Sequence, residues 1–193
     1  MIEIPPAPYE LEISVFGPGI GECVVVHIGD GDWIVVDSCI DRKSRRPAAL
    51  DYLESIQVDI ASRIKLVVAT HWHDDHIQGL GEILRVAESA KFANSAAYTL
   101  QDLARLVELG TKAPRQSSAT KEFGSIIKIL VQRRKEGQAR DAVGPIPALA
   151  NKKLLALTNA GRSVASEVFA LSPADGVFNR AEAELRSALS LIE

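Results

Sequence analysis

The chain opens on a strict alternation of apolar and polar positions. In YELEISVFG, Leu11, Ile13 and Val15 alternate with Glu10, Glu12 and Ser14. A period of two predicts a half-buried β-strand with those three side chains turned to a core. The cluster GPGIG ends it. ECVVVHIG and WIVVD predict two more strands, and GDGD between them a tight turn with Asp30-Gly31 at its tip. From Pro47 the spacing turns helical, with Ala49, Leu50, Leu53 and Ile56 on one face up to about Gln57. IKLVVAT is short, apolar and β-branched, the composition of a strand covered on both faces. Ile77, Leu80, Ile83, Leu84 and Ala87 then mark an amphipathic helix to about Ala90.

Further along, KFANSAAYTL holds one short strand and residues 100–109 a helix. SSATKEFGSIIKILVQRRKEG predicts a long helix: apolar Phe123, Ile126, Ile127, Leu130 and Val131, a basic last turn, and Gly137 as its stop. Gly144, Pro145 and Pro147 interrupt any period, so 143–153 reads as a loop or linker. SEVFALSP is a strand broken by Pro173, and Phe178, Ala181, Leu185, Leu189 and Ile192 line a last helix. Strands precede helices, giving a mixed α/β chain (α+β by strand order) in which residues 1–193 form one domain.

Composition changes this picture little. With 193 residues, 47% hydrophobic and 24% charged, the chain can bury a real core. Its net charge of −3 gives no global reason to expect nucleic acid or a membrane surface. No run approaches the roughly 18 apolar residues of a membrane span. MIEIPPAPYELEI has neither the basic nor the apolar region of a secretory signal, so the expected location is the cytoplasm. Cys23 and Cys39 are accordingly expected to be reduced and buried beside strands.

The chemistry concentrates at the end of IKLVVAT. Three of the four histidines fall within residues 71–76, His71, His73 and His76, together with Asp74 and Asp75. In an extended segment His71 and His73 project to the same side and can reach one metal, while Asp75 and His76 at the following turn can address a second position. Such a nitrogen and carboxylate set suits Zn(II), with Mn(II) or Fe(II) as competitors. A divalent ion there lowers the pKa of bound water to about 7, which makes hydrolysis by metal-bound hydroxide the natural reaction.

The pattern His71-x-His73-x-Asp75-His76-x-x-Gly79, preceded by IKLVVAT, resembles the signature of metallo-β-lactamase-fold hydrolases. ECVVVHIGDGDWIVVD resembles their opening β-hairpin, and the likeness is strongest over residues 10–90. It implies an αββα sandwich with the site between the edges of two sheets. It also implies that His71 and His73 ligate a first metal and that Asp75 and His76 ligate a second, Asp75 serving in catalysis as well. Two zinc ions would fill the complete site. Asp37, at the end of WIVVD, matches the family's strand-end aspartate, which holds the ligand geometry. In style the chain is nearest to competence-protein metallohydrolase domains, which points to a nuclease-like phosphodiester substrate, nucleic acid or nucleotide, rather than a β-lactam.

Departures from that family are equally informative. Members with a complete site bring later histidines and a bridging aspartate, but no histidine follows His76. Of the later aspartates, Asp102, Asp141 and Asp175, none ends an apolar strand. The expectation is therefore an N-terminal half of the fold, completed by a second polypeptide or a C-terminal half that supplies the remaining ligands. The alternative is a catalytically inactive half-domain acting as an interaction or regulatory subunit. His27, in CVVVHIG, is expected to be a structural strand histidine. FGPGIGE lacks the following helix that a dinucleotide site needs, and reads as an edge loop that can line the site. The clusters RKSRR (42–46) and QRRK (132–135) read as solvated charge, and as the places where phosphates would dock on a nucleic-acid substrate. A nucleophile at Ser38 or Cys39 has no evident base.

Overall fold

In a computed structural model, residues 4–17, 21–95, 108, 118–136 and 144–173 are described. Six strands form one mixed sheet in chain order: β1 (Leu11–Phe16), β2 (Cys23–Ile28), β3 (Trp33–Val36), β4 (Ile64–Ala69), β5 (Lys91–Ser95) and β6 (Ile146–Ala148). β1, β2 and β3 pair antiparallel, and β3 through β6 run parallel. The first half is thus hairpin-built, with Asp30 and Gly31 both at positive φ (55° and 76°) in the β2–β3 turn, the backbone a two-residue hairpin turn requires. The parallel half needs crossovers. These are made by α1 (Ala48–Ser55) with α2 (Ile60–Arg63), and by α3 (Asp74–Ile77) with α4 (Leu80–Val86), while α5 (Ser118–Lys135) precedes β6.

The helices cover one face of the sheet. Cys23, Val25, Trp33, Val35, Val67 and Phe92 meet Leu50, Leu53, Ile83, Leu84, Phe123 and Ile126 in the main core. On the opposite face Ile34, Leu66, Ala93 and Ala148 pack under Leu154 and Leu155 of a second, two-stranded sheet, β7 (Lys153–Leu157) and β8 (Ser166–Phe169), and under Ala170 just after it. This small sheet is pinned to the β2–β3 turn: Arg162 donates to Asp32 at 2.5 Å, Ser163 N–H to Asp30 at 3.0 Å, and Ser166 Oγ to the Ile28 carbonyl at 2.6 Å. A helix layer over a mixed sheet with further strands on its other face matches three consecutive layers, α, β and β, of the αββα sandwich.

Three readings change. Leu11, Ile13 and Val15 form a strand but do not face the core; they are 70%, 61% and 69% exposed. Register explains why: they lie across from Ile28, Val26 and Val24, on the face away from the helices. On the helix side stand Glu12 and Phe16, held by the Tyr52 hydroxyl and ring. Within the glycine-proline segment, Ile146–Ala148 form β6, since one parallel partner suffices for an edge strand that tolerates Pro147. In QRRK, Arg133 is not solvated. It is 5% exposed and donates to the carbonyls of Leu84 (2.6 Å), Ala87 (2.8 Å) and Ala90 (2.7 Å), closing the end of α4. Burial pulls its pKa down. Val131 is turned to solvent instead. Arg133→Met takes the guanidinium donors from those carbonyls, of which Ala87 keeps the Ala90 N–H, and is expected to cost about 2–3 kcal/mol by chemical denaturation.

The expected helix at 100–109, apart from Glu108, and the one from Phe178 to Ile192 lie outside the described residues, as do Asp102, Asp141 and Asp175. Cys23 and Cys39 are free and buried. His27 is fully buried: Gly31 N–H donates to Nε2 at 3.0 Å, so Nδ1 carries the proton given to the Glu10 carbonyl at 2.8 Å. No described helix is long and apolar enough to cross a membrane.

Candidate metal centre

β4 delivers the chain to the histidine cluster at the parallel end of the sheet, and Asp37 fixes the exit. Asp37 directly follows β3 at φ 56° and is only 3% exposed. Its N–H donates to the Val68 carbonyl at 2.8 Å. Its carboxylate accepts from the Thr70 N–H at 2.7 Å and from the Thr70 hydroxyl at 2.5 Å. His76 Nδ1 lies 2.9 Å from the same carboxylate. Donation by Nδ1 would leave Nε2 as the nitrogen with a lone pair, pointing away from Asp37.

From Thr70 the backbone bends into the single turn α3, and the three imidazoles gather. The ring of His71 lies 5.9 Å from that of His73, interplanar angle 20°, and 5.1 Å from that of His76. His76 Nε2 is 3.7 Å from Asp75 Oδ2. The four predicted ligands thus share one rim above Asp37, but no three of them bring ligand atoms within 4.8 Å of one another; of the four, His76 alone belongs to such a group. Trp72 packs on the main core and sets its ring 4.6 Å from that of His73.

The two aspartates of the motif have different surroundings. Asp74 Oδ1 accepts from the Ala119 N–H at 2.6 Å and so ties the motif to the first turn of α5. In return Glu122 of α5 accepts from the N–H groups of Gly79 and Gly81, each at 3.0 Å, at the start of α4. Gly79 sits at φ 88°, where a Cβ would lie 2.7 Å from Ile40 Cδ1 and 2.9 Å from Pro47 Cγ. Gly79→Ala is accordingly expected to lower stability by about 2 kcal/mol or more, read as a fall in melting temperature.

One residue next to the cluster carried no ligand signal of its own in the sequence. Glu22, at the end of FGPGIGE, brings a carboxylate oxygen into a group with Asp37 and His76 whose ligand atoms all lie within 4.8 Å of one another. The only hint was the reading of that loop as one that can line the site.

Around the rim lie two recesses. His71, Val36, Val68, Leu154 and Phe169 border a largely apolar cavity of about 410 Å³ between the two sheets. Arg42 and Arg45 border a polar one of about 440 Å³ with Gln78 and Glu122. Arg46, by contrast, is engaged by Glu54 and Asp51. Ser38 is buried with its hydroxyl unpaired, and burial raises the Cys39 thiol pKa, so neither is poised as a nucleophile.

Imidazole nitrogens and carboxylate oxygens on one rim suit a divalent transition ion. No curated protein matches the chain. The model of the metallo-beta-lactamase superfamily matches residues 16–126, a span that begins in β1, includes the whole histidine cluster and ends in α5. Together, the matched span and the layered fold place this chain in the metallo-β-lactamase superfamily, whose general activity is metal-dependent hydrolysis.

Proposed function

We propose that the chain hydrolyses phosphodiester bonds of nucleic acid or nucleotides, with His71, His73, Asp75 and His76 holding two divalent ions. The placing of three imidazole rings and Asp75 on one rim at the end of β4 carries this reading. Ions held there would supply Lewis acidity toward water and a phosphoryl oxygen of the scissile diester. Asp37 orients His76 and, through Thr70, the strand exit from which His71 projects. Asp75, exposed at the rim, is placed to accept the proton of the attacking water. Arg42 and Arg45 border a recess next to Gln78 and Gly79 and are suited to a phosphate. Arg134 and Lys135 are not: they lie at the far end of α5, about 22 Å along the helix from Ala119.

No histidine follows His76, so the remaining ligands are assigned to a second polypeptide or a C-terminal half. Support comes from the exposed row Leu11, Ile13 and Val15, an apolar strip on an edge strand that calls for a cover. That strip also favours a second reading, a catalytically inactive half-domain that serves as an interaction or regulatory subunit. The two separate on activity: turnover of bis(p-nitrophenyl) phosphate or a dinucleotide with added Zn(II) or Mn(II), faster than turnover of acyl esters or a β-lactam, supports the hydrolase. Binding of a partner with no turnover of any of these supports the subunit.

A further inference from the structure

The loop between β1 and β2 reaches the motif through its backbone. Gly21, at φ 93°, lies so close to α3 that a Cβ there would stand 2.6 Å from the Asp75 carbonyl oxygen. The next N–H, that of Glu22, donates to that same oxygen at 3.3 Å. Only glycine permits this approach, and it fixes where the Glu22 side chain starts. From there its carboxylate comes within 4.8 Å of His76 and Asp37. The Asp37 carboxylate is already occupied by both Thr70 donors and faces His76 Nδ1. Glu22 is exposed, and no described residue donates to its carboxylate. Among the three groups it is the one whose oxygens are open to a cation.

We infer that Glu22 is a ligand of the metal position that His76 addresses, supplied by the first hairpin of the chain. A hard, anionic oxygen beside an imidazole is a donor pair that Mn(II), Fe(II) and Zn(II) all accept, and it offsets the lack of a later histidine. The inference rests on the proposed metal role of the histidine cluster and adds one ligand to it. It also gives the glycine turn at Gly21 a purpose: a side chain there would lift Glu22 away from α3.

Calorimetric titration of the metal-free 193-residue chain with Mn(II), and separately with Zn(II), tests this. Glu22→Gln keeps the size of the side chain and removes its charge; Glu22→Asp keeps the charge and shortens the reach. Glu22→Gln is expected to weaken one binding event by about tenfold or more while leaving the metal-free melting temperature unchanged, and Glu22→Asp to fall between it and the parent chain. With Co(II) as the probe, the ligand-field absorption should change in Glu22→Gln. Parental affinity, stoichiometry and spectrum in Glu22→Gln, alongside loss of binding in His76→Ala, would overturn the role of Glu22 and leave the histidine site standing. A lowered metal-free melting temperature with unchanged affinity would make Glu22 structural and overturn it as well. Absence of metal binding in the parent chain would overturn both.

Discussion

His73→Ala is expected to lower phosphodiester turnover by about 10³-fold, a loss of roughly 4 kcal/mol of transition-state stabilisation. The size follows from position. His73 lies at the bend before α3, its side chain is exposed, and its ring faces His71 at 5.9 Å. It contributes little to the core, so its removal should leave the melting temperature of the metal-free chain close to the parental value. Activity and metal content would then fall together without unfolding. Steady-state kinetics at saturating Zn(II) or Mn(II), paired with thermal denaturation, separates a lost ligand from a lost fold. A variant that keeps its metal and its turnover would remove His73 from the site.

Asp37→Asn should affect both binding and stability. Asparagine tolerates the positive φ at this position, so the strand exit can keep its course. It cannot keep the charge, and its amide nitrogen would face the Thr70 donors or the His76 ring, which now receive one weaker acceptor or none. Metal affinity is expected to fall by about 10–100-fold, the usual cost of removing the group behind a ligating histidine. Stability should fall by about 2–3 kcal/mol, because the carboxylate is buried and its hydrogen bonds involve a charged acceptor. Titration calorimetry gives the first number and urea denaturation the second. If stability alone falls, Asp37 serves the strand exit and not the metal.

What the residues disclosed, and what they did not, follows from how far each interaction reaches along the chain. IKLVVAT declared a central strand because burial on both faces leaves Leu66 to Ala69 an unbroken apolar run, and the histidine cluster follows directly at its end. Ala49, Leu50, Leu53 and Ile56 declared α1 through local spacing. A period of two in YELEISVFG gave a strand but not the side its apolar row would face; that depends on the register with β2 and on Tyr52 reaching Glu12 from 40 residues away. Arg133 read as solvent-facing charge, since nothing local signals that three carbonyls from the end of α4 and beyond await it. Asp74 and Asp75 are neighbours of one type, and only the approach of α5 sets them apart. Glu22 is 54 residues from His76 in sequence, and its place beside the cluster depends on the backbone conformation of Gly21.

The most direct measurement is the metal content of the purified chain, alone and with any chain that co-purifies, taken together with phosphodiesterase activity. Bound zinc or manganese in whole-number ratio, with turnover that His73→Ala abolishes, is the expected result. A chain or complex that is folded and stable but free of metal, and inactive when Zn(II) or Mn(II) is added, would contradict it.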